Sequence, residues 1–66
     1  MQAELRLFGP RLAWLGPRTV LGEFSFEVSN VAEAIRRLED YREPLAGADC
    51  ATLEIDGQLV RVHKAC

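Results

Sequence analysis

The sequence switches between two hydrophobic periods, and this switching limits the fold more than any other feature. Apolar and polar residues alternate in four short runs, at residues 3–8, 23–28, 51–55 and 58–63. Alternation with a period of two predicts β-strands with one buried face. One stretch between the second and third runs follows the helical period instead, through Val31, Ala34, Ile35 and Leu38. We therefore predict the element order β-β-α-β-β.

Local signals predict where the helix begins and ends. Asn30 is a favourable N-cap, because its side-chain oxygen accepts hydrogen bonds from the free amides of the first turn. Glu33, three residues later, completes an arrangement that resembles a capping box. Pro44 is expected to end the helix at or before Glu43, and residues 45–49 are expected to form a linker.

Glycine and proline predict the ends of the strands. The dipeptide Gly9-Pro10 is expected to end the first strand, because proline removes a backbone donor and glycine permits a turn. Residues 10–21 are then expected to be irregular. Asp56-Gly57 lies between the last two alternating runs and predicts a two-residue hairpin turn with positive φ at both positions.

These elements predict one α+β domain over residues 1–66, since a chain of 66 residues holds a single small core. We expect a minimal β-grasp fold with a four-stranded mixed sheet in the order 2-1-4-3. Strands 1 and 4 would be parallel and central, and the helix would cover one face. The other face is expected to carry Glu4, Arg6, Glu23, Glu27, Glu54 and Arg61. The exposed edges at strands 2 and 3 would permit a homodimer.

The charge distribution narrows the class of partner. The formal charge is −2, and residues 19–56 carry three arginines against nine acidic residues. This acidic middle argues against direct nucleic-acid binding, which needs clustered cations. It is typical of a solvated surface with mixed charge, and it would also suit a basic protein surface as partner. The longest charge-free run, residues 12–17, is far shorter than the roughly 20 residues of a membrane helix. No secretory signal is recognisable, so we expect a cytoplasmic protein.

Side chains that could carry chemistry are few. The only serines are Ser25 and Ser29, and His63 is the only histidine, so a nucleophile with a base and an orienting group is not expected. Cys50 and Cys66 are too far apart in sequence for a zinc site. A two-residue turn would place Cys50 opposite His63 and about 10 Å from Cys66, which predicts free thiols. We predict no enzyme activity, no cofactor and no metal.

Two groups of residues are candidates for protein binding. The first is an apolar set in the first hairpin loop, made of Leu12, Trp14 and Leu15. These side chains either fold back over the core or form a binding loop with an aromatic anchor. The second is an acidic set on the predicted helix, made of Glu39, Asp40 and Glu43.

Three segments together carry a family resemblance. They are LRLFG on the first strand, FSFEV on the second, and NVAEAIRRLEDY on the capped helix. Over residues 3 to about 62 the chain resembles the ubiquitin-like N-terminal domain of the lambda-type phage tail assembly protein I. More distantly it resembles the sulfur carriers of molybdopterin and thiamine synthesis. The first resemblance implies a phage or prophage protein that binds tail proteins in the host cytoplasm without catalysis.

Two alternatives stay open beside tail assembly. A small phage-encoded domain of this size could inhibit a host defence complex, as anti-CRISPR proteins do, and the acidic set would then contact a basic subunit. The other alternative is a sulfur or ubiquitin-like carrier. The residues at the end of the chain, 62–66, contain no match to the Gly-Gly end that the carriers use.

Overall fold

The structure is a computed structural model that describes residues 1–11 and 16–64. The first two strands form a hairpin, a helical segment follows, and a second hairpin ends the described chain. The elements are β1 (Gln2–Arg11), β2 (Arg18–Glu27), α1 (Val31–Arg37), a 3₁₀ turn (Leu38–Tyr41), α2 (Arg42–Gly47), β3 (Cys50–Ile55) and β4 (Gln58–His63).

The four strands form one antiparallel sheet in the order β2-β1-β3-β4. The α+β class and the number of strands predicted from the sequence are confirmed. The predicted order 2-1-4-3, with strands 1 and 4 parallel, is wrong. The β-grasp topology was inferred from that order and is not confirmed.

The observed burial fits the position of β3, and not β4, beside β1. A central strand loses water along both edges and packs one face against the helices. β3 presents Ala51, Leu53 and Ile55 to that face, and all three are buried. The corresponding positions of β4 include Arg61 and His63, whose polar side chains are costly to bury. The edge of the sheet is therefore the stable place for β4.

A β-bulge in the second hairpin changes the predicted register. Ile55 pairs with Gln58 as expected, but the register shifts between Leu53 and Glu54, so that Leu53 pairs with Arg61. The extra residue in β4 moves Arg61 to the helix-covered face. It also pairs His63 with Ala51. The predictions that Cys50 faces His63 and that Arg61 lies on the outer face are therefore wrong.

The core lies between the helical segment and the helix-covered face of the sheet. Its buried members are Ala3, Leu5, Leu7, Phe26, Val28, Ala34, Leu45, Ala48, Ala51, Leu53 and Ile55. Tyr41 joins the two layers, because its ring lies 4.8 Å from the ring of Phe24 and 5.7 Å from that of Phe26 between centroids. The Arg37 guanidinium covers the Phe26 ring at 5.1 Å.

The first hairpin is longer than predicted. β1 continues through Gly9 and Pro10 to Arg11, and β2 already begins at Arg18. Register shifts occur on both sides of Phe8, and a proline is tolerated where the ladder is interrupted in this way. The Thr19 hydroxyl donates to the carbonyl of Pro10 at 3.1 Å. The prediction that Gly9-Pro10 ends the strand is therefore wrong.

The predicted start of the helix is confirmed. The amide of Glu33 donates to the Asn30 side-chain oxygen at 2.8 Å. The Glu33 carboxylate in turn accepts from the amide of Ser29 at 2.6 Å. This backbone hydrogen bond is the main cause that lowers the pKa of Glu33, and nearby Arg36 and Arg37 act in the same direction.

The helix α1 ends before Glu43, as predicted, but the prediction that Pro44 ends the helical segment is wrong. α1 ends at Arg37, a 3₁₀ turn follows, and α2 then runs from Arg42 to Gly47 with Pro44 in its first turn. Amides in the first turn of a helix have no intrahelical acceptor, so the missing donor of Pro44 removes no helical hydrogen bond. Residues 45–47 belong to α2 and not to a linker.

The second hairpin turn confirms the prediction from Asp56-Gly57, since φ is 50° at Asp56 and 85° at Gly57. Gly57→Ala is expected to lower the free energy of unfolding by about 1 kcal/mol, because an L residue is strained at this φ. Gly47→Ala is a matched control: a Cβ there meets no atom within 4 Å, and alanine favours the helix. Urea unfolding of both variants measures the difference. Equal stability of the two variants would contradict the strained turn.

Candidate protein-binding groove

A groove of about 540 Å³ opens between the helical segment and the edge strand β4. Four apolar residues line it, which are Ile35, Leu38, Leu45 and Ala46. Five polar residues complete the lining, which are Glu39, Arg42, Arg61, His63 and Lys64. The helical segment is anchored over β2 through Tyr41, at the opposite edge of the sheet from β4. The groove lies where this segment meets the β4 edge.

Strand pairing turns Arg61 and His63 toward the groove. Residues that pair across an antiparallel sheet share a face. Leu53 and Ala51, the partners of Arg61 and His63, are buried under the helical segment. Arg61 is exposed and His63 is half-buried. Lys64 follows with a positive φ of 57°, and its Nζ donates to the carbonyl of Ala48 at 3.3 Å.

The groove is positively charged although the chain as a whole is negative. Three cationic side chains, Arg42, Arg61 and Lys64, line it against the single carboxylate of Glu39. With His63 neutral, the lining carries a net charge of +2, whereas the whole chain carries −2. Among the described residues, neither Arg42 nor Arg61 takes part in an ion pair. These two guanidinium groups are therefore available to an anionic ligand.

The outer side of β4 is apolar. Leu59 pairs with Glu54 and Val62 pairs with Thr52, which places both side chains on the face of the sheet opposite the helices. Leu59 is 59% exposed and Val62 is 45% exposed. The β4 edge therefore has cations on its helix-covered side and apolar side chains on its outer side.

Elsewhere on the outer face, acidic side chains form ion pairs with an arginine. Arg6 lies at the centre of this face and forms ion pairs with Glu4, Glu23 and Glu54. Its Nη2 lies 3.0 Å from Glu4, and its Nε lies 3.4 Å from Glu23. The sequence predicted a polar face with acidic residues around arginine, and these contacts confirm it at Arg6. Since Arg6 is already paired with carboxylates, it is a weaker anchor for a ligand than Arg61.

The residues predicted for protein binding lie only partly within the described residues. Leu12, Trp14 and Leu15 lie outside the described residues. Glu39, Asp40 and Glu43 are all exposed, but only Glu39 lines the groove. Asp40 pairs with Arg37 at 3.5 Å, and Glu43 lies in the first turn of α2. Of the acidic set, the groove therefore includes Glu39 alone.

The cationic residues of the groove were missed from the sequence. Arg61 was placed on the outer face, because uninterrupted alternation in β4 was assumed. One signal was present: Leu59 and Val60 are adjacent apolar residues, which break the alternation and indicate a bulge. Nothing in the sequence indicated that α2 would bring Arg42 beside β4.

The residues considered for chemistry do not come together in the part of the chain that the structure describes. Ser25 and His63 lie on opposite faces of the sheet, because Ser25 pairs with Glu4 on the outer face and His63 lines the groove. Within residues 1–11 and 16–64, no three His, Cys, Asp or Glu side chains are grouped closely enough to hold a metal ion. None of the helices in this part of the chain is long and apolar enough to cross a membrane.

The prediction of free thiols is wrong at Cys50. Its side chain is fully buried and is disulfide-bonded. The other cysteine, Cys66, lies outside the described residues. The β-bulge shifts the pairing of β4 with β3 by one residue. The distance that argued against a disulfide follows from the register without this bulge.

No family model, curated protein or solved structure matches this chain. The resemblance to phage tail assembly proteins therefore stays a prediction from the residues quoted above. The groove itself is defined by its chemistry, which is an apolar floor beside three cations at a free sheet edge.

Proposed function

We propose that this protein is a non-catalytic binding module that holds an acidic segment of a partner protein in the groove. The observation that carries the proposal is the reversal of charge, +2 in the groove against −2 for the whole chain. Carboxylates of the partner would form charge-assisted hydrogen bonds with Arg42 and Arg61. Apolar side chains of the same segment would pack against Leu38 and Leu45.

The resemblance of the first strand and of the helix favours a phage protein with tail proteins as the partner class. A cytoplasmic location in the host follows from the same proposal. The positive charge of the groove favours an acidic surface on the partner. The sequence alone suggested the opposite, a basic partner for the acidic middle of the chain. The inhibitor and carrier alternatives depend on the acidic set and on the chain end, and the charge of the groove adds support to neither.

Selection from a random peptide library, displayed on an unrelated scaffold, tests the proposal. Peptides retained by the wild-type protein are expected to be rich in Asp and Glu. Arg61→Glu is expected to weaken their binding at least about tenfold, because a rim cation becomes an anion that repels the ligand. Arg36→Glu makes the same change in charge at an exposed position outside the groove, and it is expected to leave binding nearly unchanged.

Two further observations separate the proposal from nonspecific attraction. Binding is expected to weaken as salt rises, since the rim contacts are partly exposed. Circular dichroism of Arg61→Glu is expected to match the wild type, because Arg61 is exposed and outside the core. Selected peptides that are not acidic, or that bind Arg61→Glu and the wild type equally, would overturn the proposed function.

A further inference from the structure

We infer that the partner segment binds as an extended strand added to the free edge of β4. This inference rests on the proposed function and specifies its binding mode. β4 is an edge strand of six residues, so one row of its backbone amides and carbonyls has no partner within the described sheet. An added antiparallel or parallel strand would satisfy these groups, as in other cases of strand addition.

The side chains of β4 suit an added strand on both faces of the sheet. Successive side chains of such a strand point to opposite faces, about 4.8 Å from those of β4. On the groove side they would meet Arg61 and His63, which favours acidic residues. On the outer side they would meet Leu59 and Val62, which favours apolar residues. The partner segment is therefore expected to alternate acidic and apolar residues.

A helix in the groove would explain less of the surface. A helical ligand lying between α2 and β4 would contact the groove side of the edge alone. Leu59 and Val62 would then stay exposed on the outer face. An added strand covers the groove side and the outer side together, and it also pairs the backbone edge. Strand addition therefore accounts for three features of β4 with one occupant.

A second copy of this chain fits the β4 edge less well than an acidic partner does. Pairing of β4 with a second β4 would bring Arg61 of each copy close to the cations of the other. Like charges across paired strands are destabilising. The charge of the edge thus disfavours the homodimer that the sequence suggested for a sheet edge. The predicted edges were strands 2 and 3, whereas the structure has β2 and β4 at the edges.

Backbone methylation of a synthetic peptide tests strand addition directly. The probe is a peptide that alternates Glu and Val and is long enough to pair with all six residues of β4. Two N-methylated forms are compared, one methylated at every Glu and the other at every Val. Successive amides of a strand point to opposite edges, so only one of the two forms blocks the edge that faces β4. We expect one form to bind at least about tenfold more weakly and the other to bind like the parent peptide.

Two protein variants supply an independent measurement. Leu59→Ser is expected to weaken binding of the parent peptide severalfold, because it removes an apolar contact on the outer face. Val20→Ser is the matched control, since Val20 is also an exposed apolar residue but lies on β2, at the opposite edge of the sheet. In the complex, hydrogen exchange of the β4 amides is expected to slow.

The outcomes separate the two proposals. If both methylated peptides bind like the parent while Arg61→Glu still abolishes binding, strand addition is wrong and the acidic-segment function stands. If Arg61→Glu has no effect on the parent peptide, the proposed function itself is wrong. Sedimentation is run on the protein with and without the peptide. A stable dimer that the peptide dissociates would identify a second copy as the natural occupant and would overturn the inference of an acidic partner.

Discussion

Leu53→Ala is expected to lower the free energy of unfolding by about 2–5 kcal/mol. Leu53 is 1% exposed and pairs with Leu5 at the centre of the sheet. The substitution removes buried methyl groups and leaves a cavity between two packed layers. A domain of 66 residues has a total stability of about 3–10 kcal/mol. The variant is therefore expected to lose a large fraction of the total stability.

Guanidinium unfolding followed by far-ultraviolet circular dichroism measures this loss. Leu59→Ala is the matched control, because the same atoms are removed from an exposed position on the neighbouring strand. Its expected effect lies within about 0.5 kcal/mol. The comparison also tests the order of the strands. In the order 2-1-4-3, β3 would be an edge strand, and a small effect of Leu53→Ala would contradict the central position of β3.

Tyr41→Ala is expected to lower the free energy of unfolding by about 2–3 kcal/mol. The Tyr41 ring contacts both Phe24 and Phe26, and each aromatic pair contributes about 0.5–1.5 kcal/mol beyond the area buried. Tyr41 is only half-buried, so we expect a smaller loss than for a fully buried aromatic residue. Its ring is the main aromatic contact that fixes the 3₁₀ turn on the sheet.

The contact of the Tyr41 ring with Phe24 and Phe26 also affects the groove. Leu38 begins the 3₁₀ turn that Tyr41 ends, and Arg42 follows directly, so both groove residues depend on the position of the turn. Tyr41→Ala is expected to weaken peptide binding at temperatures where the protein is still folded. Tyr41→Phe keeps both ring contacts and is expected to preserve stability to within about 1 kcal/mol, with unchanged binding. Equal losses for both variants would show that the hydroxyl, and not the ring, holds the turn.

The arginines on the two faces of the sheet differ in their ion pairs. On the outer face, Arg6 is held by three carboxylates, which supports the sheet and leaves little free charge for a ligand. On the other face, beside the helical segment, Arg42 and Arg61 have no carboxylate partner among the described residues. These two groove cations therefore form no ion pair that would stabilise the fold, and the proposed function assigns them to binding.

Much of the local structure could be predicted from the sequence because its causes are local. Alternation identified all four strands, since the period of two follows from the geometry of any extended chain. Asn30 identified the start of α1, and Asp56-Gly57 identified the hairpin turn, because each acts within a few residues. The ends of β1 and of the helical segment do not follow from Pro10 and Pro44, because a register shift accommodates Pro10 and the first turn of α2 accommodates Pro44.

The order of the strands and the groove were decided by the tertiary structure alone. Either strand of the second hairpin could lie beside β1 and keep the same local pattern. The choice depends on the helix-covered face of each strand. In β3 this face consists of Ala51, Leu53 and Ile55, which are buried. In β4 it includes Arg61 and His63, which are costly to bury. That choice leaves β4 at the edge, and the bulge turns its cations toward the helical segment. The sequence by itself determined the number of strands, the start of the helix and the second turn, but only the burial of whole faces could determine which strand lies at the edge.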